Sequence, residues 1–201
     1  MDDGAEPNRD GEGQGEGEGG GEDEGGDEGG GPVGHIVLVG LMGTGKTTVG
    51  RLLADRLGRP FVDSDEQVQA RTGRTVREIW LDDGEAVFRR LEAEALRAAL
   101  AAPVPSVIAA AGGVVLDPAN RAVLRHDATV VWLRAEPDAL VIRAADGQHR
   151  PMLDDDPRAA LRRMATERAP LYDEVADVVI DATGEGAAAL ALAARIEALV
   201  P

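Results

Sequence analysis

Hydrophobic positions recur along this chain in two alternating rhythms, short unbroken apolar runs and longer stretches with apolar residues every three or four positions. The run at 35–39 (His-Ile-Val-Leu-Val) is short, apolar and β-branched, the signature of a strand covered on both faces. Residues 47–57 follow with Val49, Leu52, Leu53 and Leu57 on one side of a helix, and Gly58 is placed to stop it. The same reading predicts strands at 60–62, 107–110, 129–133 and 177–181. Helices are expected at 66–71, 75–81, 85–101, 118–124, 137–144, 157–174 and 185–199, with that at 157–174 interrupted near Pro170. Strands and helices alternate throughout, which predicts an α/β domain with a mostly parallel sheet, helices on both faces, and ligands beyond the carboxyl ends of the strands.

Residues 1–34 follow neither rhythm. They consist mainly of Gly, Glu and Asp, and nothing in them can bury enough apolar surface to offset the entropy of ordering. We expect a disordered acidic tail, either an interaction or solubility arm or a dispensable extension, followed by one domain at 35–201. The tail holds −11 of the net charge of −16, so the remainder is only mildly acidic. No cluster of basic residues interleaved with aromatics marks a nucleic-acid surface. No segment reaches membrane-spanning length, the N-terminus lacks the order of a secretory signal, and cysteine is absent. A cytoplasmic protein is the expectation, with no nucleic acid or membrane as partner.

The chemistry begins at Gly40-Leu-Met-Gly43-Thr44-Gly45-Lys46-Thr47, a phosphate-binding loop between a strand and a helix. Its glycines let backbone N–H groups converge on phosphate oxygens, and the helix contributes the positive end of its dipole. Lys46, the single lysine of the chain, should reach the β- and γ-phosphates. Thr47 should place its hydroxyl on Mg²⁺. Gly43, Thr44, Gly45, Lys46, Thr47 and Thr48 are therefore the candidate ATP-binding residues. Asp63-Ser64-Asp65 follows the second strand. One carboxylate can face the metal (Asp63) and the other an acceptor hydroxyl, whose proton it accepts (Asp65). Residue chemistry alone equally allows both to cap the next helix.

Three further motifs, Asp83-Gly-Glu-Ala-Val-Phe88-Arg89-Arg90-Leu-Glu92, Gly112-Gly113 and Glu167-Arg168-Ala-Pro170-Leu-Tyr172, join Arg150-Pro151 in a set whose order and spacing resemble the shikimate kinase family from His35 onward. The resemblance implies a three-layer α/β/α P-loop fold with a five-stranded parallel sheet in the order 2-3-1-4-5 and a mobile lid at about 145–156. It implies an ATP- and Mg²⁺-dependent monomer that phosphorylates the 3-hydroxyl of shikimate in aromatic amino-acid biosynthesis. It places Asp65, Arg89, Gly112, Gly113 and Arg168 on shikimate, Arg150 over the phosphates as a catalytic lid residue, and Arg143 beside the adenine. An arginine fork suits a carboxylate, although a helical arginine such as Arg89 is ordinarily a surface ion-pair partner. Ala111 stands where the family usually has glycine and Trp80 where it usually has Phe, both on the acceptor side. A kinase of another cyclitol or of gluconate and a nucleotide switch without an acceptor are the rival readings.

Overall fold

A computed structural model of the chain describes residues 34–145, 156–184 and 188–200. The acidic segment up to residue 33 and the lid segment with Arg150 lie outside them. The elements, in chain order, are β1 (His35–Val39), α1 (Lys46–Leu57), β2 (Phe61–Asp63), α2 (Ser64–Thr72), α3 (Val76–Asp83), α4 (Glu85–Leu100), β3 (Val107–Ala109), a 3-10 turn (Val114–Leu116), α5 (Pro118–Asp127), β4 (Ala128–Arg134), α6 (Pro137–Ala145), α7 (Pro157–Val175), β5 (Val178–Asp181) and α8 (Ala189–Glu197).

The five strands form one sheet in the order β2-β3-β1-β4-β5, and every pairing is parallel, as the family resemblance implied. The central strand shows why. Val37 and Val39 enter a core with Leu96 of α4, Leu124 of α5 and Tyr172 of α7. Ile36 and Leu38 point the other way, into a core with Leu53 of α1, Ile180 of β5 and Ile196 of α8. A strand apolar on both faces is stable only between two helical layers, and each such side chain contributes roughly 1.5–3 kcal/mol when fully buried. A smaller cluster of Val68, Ile79, Phe88 and Ala95 holds α2, α3 and α4 together.

Register brings the functional loops level. Leu38 pairs with Ala109, and Ala109 with Asp63, so β1, β3 and β2 deliver the phosphate loop, the Gly112–Gly113 turn and the acidic pair to one edge. Helix α1 lies close on β2 at Gly50, where a Cβ would come within 2.6 Å of the Phe61 ring.

Two expectations change. Helix α2 begins at Ser64, directly after β2, because Asp63 is its N-cap and accepts from the N–H groups of Asp65 and Glu66. Helix α7 runs unbroken through Pro170. An interior proline costs about 3 kcal/mol, and here burial on both sides of it, by Leu161 and Met164 before and Tyr172 and Val175 after, carries the helix through. Among the described residues no helix is long and apolar enough to cross a membrane.

Candidate active site

The phosphate loop is built almost wholly from local sequence. Gly40 has φ 139°, and a Cβ there would lie 2.5 Å from Leu133 O, so only glycine lets the loop leave β1 against β4. Gly45 has φ 91° and turns the chain into α1. The Thr44 hydroxyl is buried and donates to Leu41 O at 2.8 Å, so this side chain shapes the loop instead of lining the cleft. Lys46 Nζ donates to Gly40 O and Leu41 O, at 2.8 and 2.9 Å, and thereby folds back along the loop. Thr47 and Thr48, the first turn of α1, are exposed to the cleft.

That cleft has a volume of about 630 Å³ and takes in Gly43, Lys46, Thr47, Asp63, Asp65, Gly112 and Arg143. Arg143 of α6 is held by the loop after β5, donating to Ala182 O at 2.9 Å and to Thr183 O and Gly184 O at 3.3 and 3.2 Å. The two readings of Asp63 both apply. Its Oδ1 caps α2, while its Oδ2 accepts from the Thr47 hydroxyl at 2.7 Å. A hydroxyl and a carboxylate side by side at a phosphate loop are the oxygen donors that suit Mg²⁺. Asp65, one residue into α2, faces the same cleft beside Gly112.

The acceptor side is assembled from distant segments. Arg168 of α7 is 5% exposed and donates from Nη1 to Gly112 O at 3.3 Å, and its buried Nε has no hydrogen-bond partner among the described residues. Arg89 of α4 lies so close to Gly113 that a Cβ there would overlap its guanidinium. The two arginines thus flank one glycine turn, and a Cβ at Gly112 would come within 3.1 Å of Gly40 O. Arg89 also lies near the rings of Trp80 and Phe88, 5.4 and 5.6 Å from their centroids.

Three residues of this region escape sequence reasoning. Glu92, 3% exposed, accepts from Arg89 Nη1 at 2.6 Å. Burial pushes its carboxyl up to about 7, against the pull of Arg89. Its signal was available, since it stands four residues from both Phe88 and Leu96 on the buried stripe of α4. Tyr172, also buried, donates to Gly112 O at 2.6 Å, and burial holds its hydroxyl protonated far above the ordinary range. Ser64, buried at the start of α2 between the two acids in sequence, accepts from the Ala111 N–H at 2.8 Å and so ties α2 to the residue before the glycine turn. Ala111 itself is 4% exposed and packs in the core.

Comparison with known proteins agrees with this arrangement. The family model described as shikimate kinase matches residues 42–197. A shikimate kinase of Symbiobacterium thermophilum is 54% identical over 149 residues, 73% of this chain and 85% of that protein. One of Chromobacterium violaceum is 48% identical over 151 residues, 75% of this chain and 82% of its own length. Among solved structures, the shikimate kinase of Acinetobacter baumannii in complex with shikimate superposes with a TM-score of 0.79 at 39% identity, covering 83% of this chain and 92% of that one. The chain belongs to the shikimate kinase family and is a small-molecule kinase of the P-loop class.

Proposed function

We propose that this kinase moves the γ-phosphoryl group of ATP to the 3-hydroxyl of shikimate, giving 3-phosphoshikimate and ADP. One observation carries the choice of acceptor: two arginines from separate helices pack on the Gly112–Gly113 turn, whose Gly112 lines the phosphate-loop cleft together with Asp65. Paired guanidinium forks fit a carboxylate and fix the orientation of a rigid ring. The neighbouring carboxylate of Asp65 then meets a ring hydroxyl. A nucleotide switch needs no such pocket, and a neutral cyclitol would bring no carboxylate to either arginine.

The work divides among the residues as follows. Gly43 and Gly45 admit backbone N–H groups to the phosphates, with Thr48 at the rim and Arg143 on the side of the nucleotide base. Lys46 leaves its loop carbonyls for the phosphate oxygens. Thr47 and Asp63 would hold Mg²⁺, which would offset the charge of the phosphate oxygens. Arg89, Arg168 and the glycine turn hold the acceptor carboxylate. Asp65 accepts the proton of the attacking hydroxyl as the new P–O bond forms and the bond to ADP breaks. Positioning and charge neutralisation supply the rate, without a covalent enzyme intermediate. Arg150, assigned to the phosphates by the resemblance, completes the set. The reading includes a cytoplasmic monomer whose acidic tail at 1–34 takes no part in catalysis.

The test compares ADP formation with shikimate, quinate, gluconate, a neutral cyclitol and water as acceptors. Shikimate is expected to exceed every other acceptor in kcat/KM by at least about 100-fold. Equal use of the neutral cyclitol would replace this reading with a cyclitol kinase.

A further inference from the structure

Each nitrogen of Arg89 donates to a carboxylate of its own helix. Nη1 donates to Glu92 Oε2 at 2.6 Å, while Nε and Nη2 converge on Glu85 Oε1 at 3.2 and 3.0 Å. The two carboxylates are of different kinds. The Glu92 side chain is 4% exposed and fixed within the domain, whereas that of Glu85 is 58% exposed, in the first turn of α4. Nη1 is held by the buried Glu92 and lies nearest Gly113, whereas the Nε–Nη2 edge is held by the exposed Glu85, so that edge is the one an incoming ligand can take. That edge presents two parallel donors, the pair a carboxylate takes in its strongest geometry. Glu85 now spans it with a single oxygen.

We propose that Glu85 is the resting occupant of the acceptor-carboxylate subsite, a specificity-determining side chain that an incoming carboxylate displaces from Arg89. The inference rests on the reading of Arg89 as a carboxylate anchor. Its chemistry is an exchange of anions on one guanidinium. Glu85 keeps Arg89 neutralised while the cleft is empty. On displacement its exposed carboxylate returns to water, and an i,i+4 pair of this exposure is weak enough to be given up readily. An acceptor carboxylate restores the charge lost to Arg89 and gains Arg168 in addition. An uncharged alcohol restores nothing, so it leaves Glu85 in place.

The direction of effect separates this role from a structural one. A side chain that merely oriented Arg89 would weaken acceptor binding when removed. A competing occupant would strengthen it. In the full chain with saturating ATP and Mg²⁺, Glu85→Gln is expected to lower the KM for shikimate by about 2- to 5-fold, the range of a weak, partly screened ion pair. The change should fall in KM rather than in kcat, and the ATP constant should not move. As a second reading that needs no turnover, cyclohexanecarboxylate should bind the variant about 2- to 5-fold more tightly by calorimetry. A KM and a carboxylate affinity that are unchanged or weakened would overturn the role of Glu85 and leave the acceptor reading intact. Failure of the wild-type protein to phosphorylate shikimate would instead overturn the acceptor reading.

Discussion

The two halves of the cleft are built by opposite methods. The phosphate half is one continuous stretch, Gly40 to Thr48, shaped by its own glycines and by the Thr44 and Lys46 bonds back to loop carbonyls. The acceptor half draws Asp65 from α2, Arg89 and Glu92 from α4, Gly112 and Gly113 from the loop after β3, and Arg168 and Tyr172 from α7. A local loop can serve any nucleotide enzyme. An acceptor pocket made of long-range contacts belongs to this fold and to one class of ligand, and it places ionised groups in the core, where burial is costly unless they are paired.

The comparison breaks most visibly at the phosphate half. Lys46→Ala within that stretch, and Asp63→Ala at the carboxylate that β2 lends to Thr47, are each expected to lower kcat by about 10³-fold or more, because charge on the transferring group is then left unbalanced. Shikimate binding measured by calorimetry without nucleotide should change little. A comparable loss of acceptor affinity would mean that the halves are not separable. At their meeting point, Asp65→Asn is expected to lower kcat by roughly 10²-fold while ATP affinity stays normal. Near-normal turnover in that variant would remove Asp65 from proton transfer.

Smaller losses are expected from the acceptor half alone. Arg89→Ala or Arg168→Ala should each cost about 10- to 100-fold in kcat/KM for shikimate, as charge-assisted bonds are worth about 1.5–3 kcal/mol. Lys at either position should recover part of the loss, since a point charge restores attraction without the planar fork. A shift in the ATP constants of similar size would count against the division. A further effect is thermodynamic. The carboxyl of Glu92 is raised from its ordinary value near 4.5 to about 7 in the folded protein, so the folded state binds the extra proton between those values. Stability contributed by protonated Glu92 is therefore full below about pH 4.5 and lost as pH rises through about 7. Unfolding free energies of wild type and Glu92→Gln, taken from urea titrations, should diverge across that window, the wild type losing stability as pH rises. Parallel curves would show that Arg89 keeps Glu92 ionised throughout.

The same contrast explains what could be read before the structure. The phosphate loop was legible because its signal is local: glycine spacing, one lysine, one hydroxyl, and a strand before a helix. The strand order and the roles of Arg89 and Arg168 came from the family resemblance, because nothing in a helical arginine distinguishes a ligand anchor from a surface ion pair. Ser64 and Tyr172 were opaque for a related reason. Each acts at or beside the glycine turn across a long sequence separation, and a serine between two acids or a tyrosine in an amphipathic helix gives no local sign of such a partner. Glu92 is the instructive miss, an acid on the buried stripe of an amphipathic helix, where position alone demands a counter-ion. At Pro170, propensity argued for a break and tertiary burial overrode it.

Gly50 gives protein engineers a reason for caution. It lies inside α1, where glycine is about 1 kcal/mol less favourable than alanine, so a stabilisation campaign guided by helix propensity would mark it for early replacement. The added methyl would press on the Phe61 ring, two residues before Asp63 and on the same short strand. Thr47 leaves the other end of the same helix surface to meet Asp63 at 2.7 Å. Any relief of the overlap that moves β2 away from α1 also separates those two oxygen donors. Helix propensity alone therefore misjudges Gly50, where replacement is expected to cost both stability and turnover although the residue itself touches neither ligand.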